Sequence, residues 1–76
     1  MISLKGHVSK EIYAKGSKSE HLAVMIKSGI HKYCLRKEGG NPFMDPDIVA
    51  LDRHYVEVSG RIIDDIFFVQ SWKILG

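Results

Sequence analysis

The chain has 76 residues, of which 45% are apolar and 26% charged, an ordinary globular usage that excludes a disordered, collagen-like or disulfide-scaffold protein. This length holds one domain, residues 1–76, with one small core, since a 60-residue domain already buries only roughly 60% of its unfolded surface. The net charge of +2 is too small to imply a nucleic-acid partner by itself, and no apolar run approaches the ~20 residues that cross a bilayer as a helix, so no membrane partner is expected.

Leu4, Val8 and Ile12 share one parity and Lys5, His7, Ser9 and Glu11 the other, the period-two pattern of a half-buried strand. Gly6 interrupts it. Glycine inside a strand marks a bend or a close backbone approach, which predicts a long, coiled first strand. Ala14 to Ser19 contains Lys15 and Lys18 among turn-prone residues and reads as a basic loop. Residues 22–26 and 31–35 then flank Lys27-Ser28-Gly29-Ile30, and Gly29 supplies the positive φ that a two-residue hairpin needs. With Ser28-Gly29 as the tip, paired residue numbers add to 57. Leu22 then lies opposite Leu35, Val24 opposite Tyr33 and Ile26 opposite His31 on the inner face. The outer face shows Ala23, Met25, Lys27, Ile30, Lys32, Cys34 and Arg36. Because a slip by one residue mixes these two sets, the barrel and its cationic face are both staked on this tip.

Gly39-Gly40-Asn41-Pro42 ends the third strand, since proline removes a ladder donor and glycines favour a change of direction. A short helix should follow, with Asp45 as N-cap, Pro46 in the first helical position and Asp47 in the first turn. Met44 and Val49 occupy the two staple positions. Ile48 and Leu51 give the helix an inward face, and it should end near Asp52 to His54. Tyr55 to Ile63 alternates again, with Val56, Val58, Gly60 and Ile62 on one parity, and Asp64-Asp65 makes a turn. In the last strand, Ile66 to Leu75, Phe67 and Val69 share one parity while Phe68, Trp72 and Ile74 share the other. A bulge near Gln70-Ser71 would carry Trp72 and Ile74 inward and leave Phe68 outside, facing Arg61; the alternative is burial on both faces of this strand.

Five strands in an open sheet would leave two exposed edges, and closure into a small barrel removes them. Lys5-Gly6-His7-Val8 opens the long first strand, a helix falls between the third and fourth strands, and Tyr55-Val56-Glu57-Val58-Ser59-Gly60 heads the fourth. On these features the chain resembles an OB-fold over nearly its whole length. The resemblance implies a mainly β, five-stranded OB-like barrel with one short helix between strands three and four. An SH3-like barrel is the competitor, and the helix at 45–53 favours OB.

Little of the chemistry-bearing set points to catalysis. His31-x-x-Cys34 has zinc-ligand residue types, but positions three apart on a strand face opposite ways, so no metal is expected. Cys34 is the lone cysteine, which rules out an intrachain disulfide. Lys32 and Arg36 share its face and could lower its pKa, although a single strand cysteine packs as a small hydrophobe. Asp64-Asp65 reads as a solvated turn. Gly39-Gly40 lacks the lysine and Ser/Thr of a phosphate-binding loop. No enzyme activity and no cofactor are expected, and without a secretory pattern after Met1 the expected location is cytoplasmic.

Residues 1–38 hold eight Lys/Arg against three Glu, and residues 39–76 hold three against six Asp/Glu, giving +5 and −3. An OB-type barrel binds oligonucleotides or oligosaccharides on the outer face of strands two and three and the flanking loops. By that resemblance the candidate nucleic-acid-binding residues are Tyr13, Lys15, Lys18, Lys27, Lys32 and Arg36. Tyr13 stands at the loop's entrance, where it could stack a base. If about five phosphates are neutralised, log affinity for single strands falls with log salt at a slope of roughly −3.5. The strand-two and strand-three face has no aromatic of its own, and Asp64 and Asp65 would repel phosphate. The alternative is a protein-interaction or self-assembly module using Met25 and Ile30, with Phe68, as its contact patch, or pairing the oppositely charged halves head to tail. An exposed Trp72 would instead suit an oligosaccharide.

Overall fold

The computed structural model describes residues 1–13, 16–18, 21–39 and 45–76, with the side chains of Tyr13 and His21 outside that description. Five strands form the sheet: β1 (Ile2–Tyr13), β2 (His21–Ser28), β3 (His31–Lys37), β4 (Tyr55–Ile63) and β5 (Ile66–Ile74), with helix α1 (Pro46–Val49) between β3 and β4. They close into a barrel in the order β1-β2-β3-β5-β4. All neighbours are antiparallel except β3 and β5, which run parallel from Cys34↔Ile66 to Lys37↔Val69.

Closure depends on β1 serving two partners. Its first half, Ile2 to His7, pairs with β4, and its second half, His7 to Tyr13, pairs with β2. Gly6 lies at the crossover, where an added Cβ would come within 2.2 Å of the Lys27 carbonyl oxygen. The close approach expected of this glycine is therefore real, and no larger residue fits there. Val8, Val24, Ile26, Leu35, Val56, Val58, Phe67 and Val69 fill the interior, with Leu4, Tyr33, Ile62 and Trp72 packed partly against them. Burying a side chain of this kind contributes roughly 1.5–3 kcal/mol.

Helix α1 starts as its residues dictate. Asp45, extended at φ −69° and ψ 126°, accepts a hydrogen bond from the Asp47 amide at 2.9 Å, with Pro46 next in line. The α-helix proper stops at Val49, earlier than the pattern predicts, but tighter i to i+3 turns continue it: Leu51 N donates to Ile48 O, Asp52 N to Val49 O and His54 N to Leu51 O. Arg53, at φ 70°, then turns the chain so that its amide donates to Val8 O while Val8 N donates to His54 O. Ile48 and Leu51 both point into the core as expected. The staple partner Met44 and the Gly40-Asn41-Pro42 break lie outside the described residues.

One expectation needs correction. The β2–β3 tip is Gly29-Ile30, because Ser28 pairs with His31 and Ile26 with Tyr33, so that paired numbers add to 59. Moving a tip by one residue moves every pair by two positions, and a two-residue shift preserves parity. The inner and outer sets therefore survive, and the barrel does not depend on that tip: Lys32 is exposed and Tyr33 packs against the core. Burial within each set is less uniform than the alternation predicts. Ile12 and Leu22 pair with each other beyond the last β2–β3 pair and stay 55% and 45% exposed, while the inner-parity His31 is exposed beside the tip. On the outer face the small side chains of Ala23 and Cys34 are buried.

The β4–β5 hairpin matches its pattern closely. Ile63 pairs with Ile66 across Asp64-Asp65, and the register shifts between Ser59↔Ser71 and Gly60↔Val69, leaving Gln70 as the extra residue. This bulge places Trp72 opposite Val58 and Ile74 opposite Val56, on the inner face. Trp72 packs on the core, whereas Ile74, near the strand end, remains 50% exposed.

Candidate nucleic-acid interface

The register places Lys27 directly across from Lys32 on the outer face of β2 and β3. Like charges in that position repel, and Glu11 of β1 relieves the repulsion by accepting from Lys32 Nζ at 2.8 Å. The Lys32 hydrogen bond holds the Glu11 carboxyl below its usual pKa against the opposing effect of desolvation, helped by a bond from Ser9 and the fields of both lysines. Lys27 makes no ion pair among the described residues. Lys18 is exposed in the turn at residues 16–18. The Tyr13 backbone pairs with His21 at the end of β1, while its side chain and all of Lys15 lie outside the described residues.

Arg36 is half-buried farther along the same face. Its buried Nε has no hydrogen-bond partner among the described residues. Burial pushes the Cys34 thiol up and outweighs the downward pull of the Arg36 charge and hydrogen bond. The lowered pKa that its basic neighbours suggested is not what results, because desolvation disfavours the thiolate more than one guanidinium favours it. His31 stands apart from the thiol, its ring 6.2 Å from that of Tyr33 at 24°. Among the described residues no group of three or more His, Cys, Asp or Glu side chains is placed to hold a metal.

Residue-by-residue reading of the hairpin missed an aromatic that the barrel supplies. The parallel contact of β3 with β5 sets Arg36 beside Phe68, and β4 sets Arg61 on Phe68's other side. The Arg61 guanidinium carbon lies 5.7 Å from the Phe68 ring centroid. The antiparallel pairing of Phe68 with Arg61 was legible as a local hairpin, whereas its closeness to Arg36 spans about thirty residues of sequence and left no local signal. On the same β5 side of β3, the Asp65 carbonyl accepts from the Cys34 amide at 2.8 Å, which fixes the acidic turn against β3. Trp72 is half-buried and packed on the core.

Two ion pairs offset part of the charge asymmetry of the two chain halves, and a third runs in the opposite sense. Lys10 pairs with Asp52 at 3.7 Å, Lys37 with Asp47 at 2.6 Å and Glu38 with Arg61 at 2.9 Å, each joining the first half to the second. The cations left to face an external anion on β2, β3 and the described part of the first loop are Lys18, Lys27 and Arg36. No protein-family model matches this chain, and neither the curated proteins nor the solved structures contain a match to it.

Proposed function

We propose that the chain is an OB-type binding domain without catalytic activity that holds single-stranded nucleic acid weakly on the outer face of β2 and β3. The strand order, the parallel β3–β5 contact and the helix between β3 and β4 support the OB reading. One observation carries the nucleic-acid reading: the Lys27–Lys32 cross-strand pair and Arg36 lie on one outer face that continues onto an aromatic ring, Phe68. A backbone-tracking cationic strip joined to a stacking surface is what sequence-tolerant single-strand binders use. The fold supplies only analogy, and the weight rests on the side chains.

Because Glu11 neutralises Lys32, about three rather than five phosphates are met, and the salt slope for single strands becomes roughly −2. The test is a titration of fluorescently labelled oligonucleotides at several low salt concentrations. Binding with that slope supports the reading, and no binding at high micromolar protein rejects it. Glu11→Gln releases Lys32 and should tighten binding and steepen the slope by about 0.7.

A second reading has its own observation. Ile30 is 94% exposed at the β2–β3 tip, with Met25 half-buried on the same hairpin, a surface suited to a protein partner or self-association. A stable, salt-insensitive oligomer in the analytical ultracentrifuge favours it.

A further inference from the structure

Resting on the nucleic-acid reading, we infer that Arg61 is a stacking platform for one unpaired base, extending the bound strand from β3 across β5 onto β4. A guanidinium is planar and stacks on aromatic faces and on bases, but a free arginine samples many rotamers and must be ordered before it can serve. Here the ordering is already done. Phe68 lies against the Arg61 guanidinium, with 5.7 Å from its carbon to the ring centroid. Glu38 Oε1 holds the edge at 2.9 Å from Nη2, while 57% of the Arg61 side chain remains open to solvent.

Glu38 is itself fixed. Its backbone amide donates to Val69 O at 2.9 Å, and Gln70 Nε2 donates to its second carboxylate oxygen at 3.2 Å. Gln70 is the extra residue of the β5 bulge, so the irregularity that turns Trp72 inward also aims the amide that steadies Glu38. The result is a chain of contacts from bulge to carboxylate to guanidinium, with Phe68 as the floor.

The chemistry selects a base over a phosphate. Glu38 already meets the Arg61 charge, which removes most of its pull on an anion, yet the outward side chain stays available to a π-system. Rigidity acquired before binding lowers the ordering cost of the complex. A ligand strand that passes Lys27 and Arg36 reaches this platform without leaving the outer surface, because Arg36, Phe68 and Arg61 are successive neighbours across the sheet.

The test compares the native chain with Arg61→Lys, which keeps the charge and loses the plane. Each is titrated by fluorescence anisotropy with labelled oligodeoxythymidine and with an abasic strand of equal length. The expected result is a roughly fivefold weakening for oligodeoxythymidine in Arg61→Lys with an unchanged salt slope, and no difference between the two proteins on the abasic strand. Equal affinity of both proteins for oligodeoxythymidine overturns the platform. Equal weakening on both strands, with a lowered thermal midpoint, also overturns it, since that is how a structural role for Arg61 reads. The underlying reading is judged separately: if Lys27→Gln flattens the salt slope while Arg61→Lys changes nothing, only the platform falls, and if the native chain binds neither strand, both fall.

Discussion

The two hairpins differ in how their registers are fixed. β2–β3 has a glycine at its tip and β4–β5 has none, yet the glycine-free hairpin is the one whose pairing follows directly from its pattern. Parity alone explains little of this, because a two-residue shift keeps every side chain on its face in either hairpin. What distinguishes β4–β5 is the Gln70 bulge opposite Gly60, which lets Val58 meet Trp72 on one side of it and Gly60 meet Val69 on the other. β2–β3 has no such irregularity in its own ladder, and glycine serves at either position of a two-residue turn. Both tips in fact place their left-handed residue first, Gly29 at φ 62° and Asp64 at φ 55°.

The largest effect is expected where that pin is removed. An added Cβ at Gly60 would lie 1.9 Å from the Phe68 carbonyl oxygen and 3.2 Å from the Gln70 amide nitrogen, both backbone atoms. Gly60→Ala must therefore push β5 away, at a cost of about 3 kcal/mol. For 76 residues the whole stability is about 4–11 kcal/mol, so a urea titration should show a large drop in midpoint. A native-like midpoint would remove the bulge from its place as the register-fixing device. The corresponding change in the other hairpin is milder. Gly29→Ala meets nothing within 4 Å, and only the left-handed conformation opposes it, for about 1 kcal/mol in the same titration.

The same contrast separates what was legible in the sequence from what was not. Alternation and turn residues revealed the five strands and the Asp45-Pro46 helix start, because each rests on local steric or hydrogen-bonding preferences, while the broken parity of the last strand left the bulge as one of two readings. The candidate site was legible as far as Lys27, Lys32 and Arg36 sharing a face. Its modifiers were not: Glu11 reaches Lys32 across 21 positions and Glu38 reaches Arg61 across 23, and no periodicity encodes such pairings. The Arg36–Phe68 neighbourhood requires the parallel β3–β5 contact, which only closure of the barrel creates. The burial of Cys34 was hidden for a related reason, since Cys34 lies between Met25 of β2 and Ile66 of β5 only once the barrel closes.

A smaller effect should appear with pH at the β1–β3 ion pair. The folded-state pKa of Glu11 is depressed, chiefly by Lys32, so its contribution is present above the unfolded-state value and is lost as pH falls through the folded one. In Glu11→Gln the thermal midpoint should decline less on acidification than in the native chain, and high salt should shrink the difference at neutral pH because the pair is exposed. Identical acid limbs in the two proteins would mean that the Lys32 contact is not maintained in solution.

The smallest change is also the sharpest on the tip itself. With Gly29-Ile30 as the loop, Ile30 is 94% exposed and contributes almost no burial, and Gly-Asn is a favoured two-residue hairpin sequence. Ile30→Asn should then leave stability within about 0.5 kcal/mol of native or raise it slightly. With Ser28-Gly29 as the loop, residue 30 would instead sit in the strand opposite Lys27, and replacing a β-branched side chain by asparagine there would cost up to about 1 kcal/mol. Chemical denaturation at matched protein concentration distinguishes these outcomes. The same variant also bears on the two functional readings: loss of self-association with stability retained assigns Ile30 to a protein contact, whereas unchanged oligonucleotide affinity leaves the cationic face independent of the tip.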